Sequence, residues 1–414
     1  MKVEMVKNKQ IGLAGPWKML VWLLIAQLMV AFVGRSLGPL GVLIGEDLSL
    51  TKAQIGLLPA ALFLGQAIAS VPAGFMVDRY GSRPLLLMLS LCLGISFMLM
   101  TLSYQYWLVL LLIVVGGIGY GSMHPTSNRG IIYWFSQRQR GTAMGIKQMG
   151  ITLGSALAGF LLLPLAATHG WRPVLVAAGA ALLVTGFLAY FSYRDPSGIN
   201  GNKKETSIKS FYMSLLKMTR HKSLMLVSLS ALCLNGSQMC LNTYIVLFAY
   251  EKIGISLFLA GILFVISEIS GSAGRIGWGI ISDRFFNGKR LIILIMIAVL
   301  TAAASLAVAF LPEGTSFFAL VPIIIVFGFA VSGFNGIWMN LASELVPREQ
   351  AGLSSGFSIM LGSMGVILVP PLFGFMVDQS GSYTAGWITI TSLMGVVLTL
   401  LSTLFIIEKR SKTI

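Results

Sequence analysis

Charge is scarce in this chain. Only 10% of its 414 residues are Asp, Glu, Lys or Arg, and acids are rarer still, 14 against 29 bases. A soluble domain carries about a quarter of its residues charged, so water is excluded as the main solvent. Cysteine and histidine number three each, and Cys92, Cys233 and Cys240 show no metal-ligand spacing and no partner across a loop. A zinc site, a disulfide framework and a Cys/His nucleophile are thereby excluded, and no Ser/His spacing replaces them. No enzyme, cofactor or metal is expected. Proline is sparse at 14, and polar stretches are short, which leaves little room for a soluble domain.

What is present is apolar: 56% of residues are hydrophobic and the mean hydropathy is +0.86. Runs of the roughly 20 residues that span a bilayer recur from end to end. Their spans are predicted at about 17–42, 53–76, 84–103, 106–134, 141–167 and 172–193, then 223–250, 255–281, 290–311, 316–342, 352–377 and 383–407. The 46 glycines studding them suit closely packed helices rather than barrel strands, so the fold class is all-α, with twelve transmembrane helices. Trp17, Trp107, Trp134 and Trp171 fall at span ends, at headgroup level. The first apolar run is too long for a secretory signal and lacks a cleavage site, so it is expected to be retained.

An even number of spans puts both termini on one side. With the termini cytoplasmic, 22 of the 29 basic residues fall on inner segments, and the outer loops keep only Lys52, Arg172 and Lys252. That asymmetry orients the chain as a multi-pass protein of a bacterial cell membrane with both termini cytoplasmic. The net charge of +15 then faces anionic lipid, and no nucleic-acid partner is needed to explain it.

The chain also repeats itself. Gly74, Asp78 and Arg79 end the second span as Gly279, Asp283 and Arg284 end the eighth, and Phe135 to Gly145 aligns with Val346 to Gly356. The longest polar stretch lies between these copies. The expected organisation is an N-terminal six-helix half at 1–193, a cytoplasmic linker at 194–222 and a C-terminal six-helix half at 223–414.

The pattern Gly74-x-x-x-Asp78-Arg79-x-Gly81-x-Arg83, with its copy after the eighth span, resembles the loop motif of the major facilitator superfamily. The resemblance covers the whole chain and implies two pseudo-symmetric bundles. It also makes Asp78, Arg79, Arg83, Arg140, Asp283 and Arg284 gating residues: Asp78 facing the positive end of a helix in the other half, the arginines forming ion pairs on the cytoplasmic side. The plainer alternative is that these charges only mark a cytoplasmic loop.

Four basic residues lie inside spans: Arg35, Arg129, Lys147 and Arg275. An ionised side chain there costs about 2.5–3.5 kcal/mol or more, which makes each a functional suspect. Three sit in the first half without an evident intramembrane carboxylate, an arrangement that invites an anion. Asn128-Arg129 after Pro125, followed by Trp134-Phe135 and Arg140, resembles the anion:cation symporter branch, whose members carry hexuronates, sialic acid, phosphate or other organic anions. Arg35 falls where that branch places an arginine. The resemblance thus makes Arg35 and Arg129 carboxylate ligands, with snorkelling to the interface as the alternative. Gly34, Ser136 and Gln139 depart from the branch at positions that usually carry an acid, a proline and an acid.

Lys147 and Gln148 lie about 10 Å into the fifth span and are expected to contact substrate, snorkelling being the alternative for the lysine. Asn235, Gln238 and Asn242 form one polar stripe on the seventh span and join Asn335 as hydrogen-bonding candidates, with interhelical packing as the rival role. Arg275 is placed at the inner gate or beside Glu268, because its second-span counterpart is Ser70 and a nitrate-porter clamp is missing. Glu268 and His124 are the ion-coupling candidates. The expected function is a monomeric secondary active transporter that moves a small organic anion, a carboxylate or sugar acid, by alternating access, with a proton or sodium as coupling ion. A multidrug or metabolite efflux antiporter of the same fold is the alternative, disfavoured by the lack of cation-binding carboxylates and of a Gly-Pro pair in the fifth span.

Overall fold

The structure is a computed structural model and describes residues 14–136, 139–195, 218–347 and 351–411. Most of the expected linker, at 196–217, lies outside the described residues, as do Arg138 and Arg348.

Among the described residues, twelve helices long and apolar enough to cross a membrane appear where the twelve spans were expected. In the first half they are α1 (Ala14–Gly34), α2 (Lys52–Tyr80), α3 (Ser82–Met100), α4 (Tyr106–Trp134), α5 (Arg140–His169) and α6 (Trp171–Ser192). In the second they are α7 (Lys222–Ile253), α8 (Leu257–Phe285), α9 (Arg290–Ala309), α10 (Phe317–Glu344), α11 (Ala351–Ser380) and α12 (Tyr383–Ser411). In the first half α1 packs on α5, α2 on α4, and α3 on α4 and α6. The second half repeats these pairings six helices on, α7 on α11, α8 on α10, and α9 on α10 and α12. Between halves α2 meets α11 and α5 meets α8, again a symmetric set.

Two helices depart from regularity where the site lies. The first predicted span ran to 42, but α1 gives way to a tighter turn at Arg35–Leu37 and resumes as a short helix at Gly41–Asp47. Pro39 removes a backbone donor there, so Arg35 sits at a break. Helix α10 is interrupted between Val331 and Asn335, around Gly333. Broken helices free backbone groups that regular ones consume.

Close approach of α1 and α5 requires Gly154, because a Cβ there would run into the Leu28 carbonyl. Gly365 answers it in the second half, pressed on the Leu232 carbonyl of α7. Gly145, on the same helix as Gly154, meets nothing within 4 Å. Gly154→Ala is therefore expected to destabilise the protein by about 1–3 kcal/mol through overpacking. Gly145→Ala is expected to leave it unchanged or raise it by up to about 1 kcal/mol through helix propensity. Thermal unfolding of the two variants in detergent checks the contrast; equal melting temperatures would contradict it.

Candidate functional site

Between the halves lies a central cavity of about 670 Å³. Arg35, Gln66, Ser70, His124, Asn128 and Gln148 line it from the first half. From the second come Asn235, Gln238, Asn242, Arg275, Asn335 and Ser363.

The two arginines are held alike. Arg35 donates from Nε to the Tyr120 hydroxyl at 3.2 Å, with its guanidinium carbon 6.0 Å from the Phe63 ring centroid. Arg275 donates from Nε to the Ser332 carbonyl at 3.2 Å, at the break in α10. Neither arginine makes another protein hydrogen bond among the described residues, and both line the cavity. A fork with two free N–H edges matches the two oxygens of a carboxylate or the three of a sulfonate. Gly34 explains the tether on the first side: a Cβ there would strike the Tyr120 ring. The residue that departs from the symporter pattern by lacking an acid is thus the seat of the tyrosine that orients Arg35.

Glu268 is 4% exposed and accepts from Asn242 Nδ2 at 2.8 Å. It acts electrostatically on both Arg35 and Arg275, though no ion pair within 4 Å joins it to either. For Arg35, which has no intramembrane carboxylate evident in its own half, the acid comes from the opposite half; for Arg275 it is the neighbour on its own helix that the sequence suggested. Asn242 Oδ1 and Gln66 Oε1 are buried without a protein partner. Unpaired acceptors beside an anion site call for donors, and hydroxyl groups of a cargo are one source.

Not every expected ligand reaches the cavity. Lys147 is 1% exposed and donates to Asn128 Oδ1 at 2.9 Å, so it stands behind the lining and holds Asn128, while the adjacent Gln148 lines the wall. Arg129 is a clear correction. It lies outside the cavity lining, with Nη1 3.5 Å from Asp195 and Nε 3.9 Å from Asp78. Asp195 also accepts from the backbone N–H groups of Ser82 and Arg83 at 3.0 Å each, capping α3. Gly81, at φ +90°, makes room for that carboxylate. Asp195 falls beyond the last apolar run of its half and gave no sequence signal.

The other gating candidates contact their own halves. Arg83 donates from Nε to the Tyr190 carbonyl at 2.6 Å, Arg140 holds the Phe135 and Ile132 carbonyls at the end of α4, and Arg79 lies over Tyr80. Asp283 and Arg284 stand exposed at the end of α8. Asn235 and Asn335 line the cavity, with Asn335 Nδ2 3.5 Å from Gln238 Oε1. Ser358 is a packing residue, bonded by Trp338 and Ser228 at 2.8 Å.

A closure that the sequence did not suggest lies at the opposite end. Lys52 Nζ meets Glu251 at 2.6 Å, and Glu251 also accepts from the Tyr383 hydroxyl at 2.7 Å. The backbone N–H groups of Lys52 and Ala53 donate to Asp378 at 2.9 and 2.8 Å, so a carboxylate at the end of α11 caps α2 across the halves. Tyr244 Oη lies 2.8 Å from the carbonyls of Lys52 and Pro370. At the end bearing Asp78, a Cβ on Gly74, Gly145, Gly279 or Gly356 would meet nothing within 4 Å.

The Major Facilitator Superfamily profile matches residues 23–366. The chain belongs to the major facilitator superfamily. Its relatives include the probable sulfoacetate transporter SauU of Cupriavidus necator, 24% identical over 382 residues and 89% of each chain. The hexuronate transporter of Bacillus subtilis is 22% identical, over 83% of this chain and 84% of its own. The fold matches a bacterial homologue of the human lysosomal transporter Spinster in an inward-facing and occupied conformation, with a TM-score of 0.78 at 17% identity, covering 94% of this chain and 96% of that one. The superfamily is one of membrane transporters.

Proposed function

We propose that the protein is a secondary active transporter of a small organic anion, a carboxylate, sulfonate or sugar acid. The observation that carries this reading is the pair of cavity arginines, one from each half, each tethered by Nε and with no protein hydrogen bond to its terminal nitrogens among the described residues. Relatives named for sulfoacetate and hexuronate support it. A cationic cargo would face two guanidinium groups, which argues against the drug-efflux alternative.

The proposed cycle is alternating access with cation-coupled uptake. With the basic end taken as cytoplasmic, the contacts of Lys52, Glu251 and Asp378 serve as the outer gate, and the present arrangement is read as an inward-facing state. Closing the inner end would bring Asp78 and its neighbours toward the other half. Binding an anion between Arg35 and Arg275 draws α1 and α8 together; Glu268 is the proposed coupling residue and His124 the second candidate.

Proteoliposomes assayed against monocarboxylates, sugar acids, sulfonates and cationic drugs test the cargo. Arg35→Gln and Arg275→Gln are each expected to raise KM at least about 30-fold, the loss of about 2 kcal/mol or more that truncating one partner of a buried charge pair causes. Arg129→Gln is expected to lower stability and leave KM within a few-fold. Preference for cationic drugs, or full transport by Arg275→Gln, would end the proposal. For the coupling, Glu268→Gln is expected to abolish accumulation driven by a proton gradient while preserving exchange of labelled for unlabelled anion. Gradient-driven accumulation that persists in this variant rules Glu268 out.

A further inference from the structure

A second concavity, of about 590 Å³, lies on the flank of the first half, between the start of α3 and the end of α6. Tyr80, Arg83, Tyr190, Phe191, Arg194 and Asp195 line it. Helices α3 and α6 pack within their own half, on each other and on α1 and α4, so this groove faces away from the central cavity and toward lipid. It sits at the basic end, where Tyr80 is 54% exposed at headgroup level.

The charges in the groove are unequal in what they have left to give. The Asp195 carboxylate is engaged by the N–H groups of Ser82 and Arg83 and by Arg129. Arg83 is fixed by its Nε bond to the Tyr190 carbonyl and by stacking 4.5 Å from the Tyr190 ring centroid, which leaves its terminal nitrogens without a protein acceptor among the described residues. The Arg194 side chain is exposed and has no protein partner among the described residues. Two guanidinium groups with open donors therefore share one concavity. Below it Val184, Phe187, Leu188 and Phe191, each 45–71% exposed, follow the i, i+3, i+4, i+7 spacing of one helix face. That apolar strip runs from the groove into the depth of the bilayer along α6.

We propose that this groove binds the phosphate headgroup of an anionic phospholipid, held by Arg83 and Arg194, with an acyl chain along the Val184 to Phe191 strip. The strip favours a lipid over a soluble phosphate, because a free anion would use the arginines and leave the apolar face idle. The paired guanidinium groups favour an anionic headgroup over a zwitterionic one, whose own ammonium offsets the phosphate. Occupancy would place a negative charge beside Asp195, and through Arg129 beside Asp78.

The test is lipid retention by the full chain, extracted from vesicles of equimolar phosphatidylcholine and phosphatidylglycerol and examined by native mass spectrometry. Wild-type protein is expected to retain phosphatidylglycerol in clear excess. Arg194→Gln is expected to lower that excess about fivefold, the contribution of one basic residue near an anionic headgroup. Because Arg83 also ties α3 to α6, Arg83→Gln risks the fold, and Arg194→Gln alone decides the matter. Phe191→Ser is expected to reduce retention as well. No excess in the wild type, an excess that Arg194→Gln leaves intact, or displacement of the lipid by inorganic phosphate would each overturn the proposal.

Discussion

A guanidinium group inside a bilayer protein costs about 2.5–3.5 kcal/mol or more unless its surroundings replace water. Much of the organisation of this molecule answers that constraint twice. On one side Pro39 and the break after Gly34 set Arg35 where Tyr120 can hold its Nε, and the missing side chain of Gly34 lets the tyrosine come close. On the other, the interruption of α10 offers the Ser332 carbonyl to Arg275. Each tether satisfies one donor and aims the remaining ones. Glu268, bonded to Asn242, supplies counter-charge from a second layer without pairing directly to either arginine, so the forks are stabilised and still available.

Access to that charge is set by a different group of contacts. At one end α2 and α11 are joined by the Asp378 carboxylate on the first N–H groups of α2, a helix terminus that favours negative charge by about 0.3–1 kcal/mol, and by the Lys52 and Glu251 pair beside it. These two helices run antiparallel, so α2 carries Asp78 at its own far end, in the position that Asp378 holds on α11. Here Asp78 meets Arg129 of its own half. The halves are thus tied at one end by α2 and α11, while at the other the Asp78 contact with Arg129 stays within the first half.

The membrane fold was readable because bilayer thickness imposes a length on every apolar run, and because the duplicated Gly-Asp-Arg ends mark the repeat. Arg35 drew attention for a related reason, since a charge at that depth is costly, and it does line the cavity. Arg129 misled. Its depth looked comparable, but the residue that claims it, Asp195, lies past the end of α6 and returns to cap α3, a tertiary event with no sequence spacing. Arg275, which the comparison with Ser70 assigned to the inner gate or to Glu268, lines the cavity together with Arg35. Lys147 was placed at the right depth and on the right helix, yet Asn128 intervenes between it and the space. The lock around Lys52 was invisible because it joins residues 199 and 326 positions apart.

The most direct measurement is a structure determined with the transported anion in place. The account predicts density for an acidic group within hydrogen-bonding distance of the terminal nitrogens of Arg35 or Arg275, with the remainder of the cargo against Gln66, Asn128 and Asn242. An anion seated instead at Arg129, displacing Asp78 or Asp195, with the two cavity arginines untouched, would contradict it.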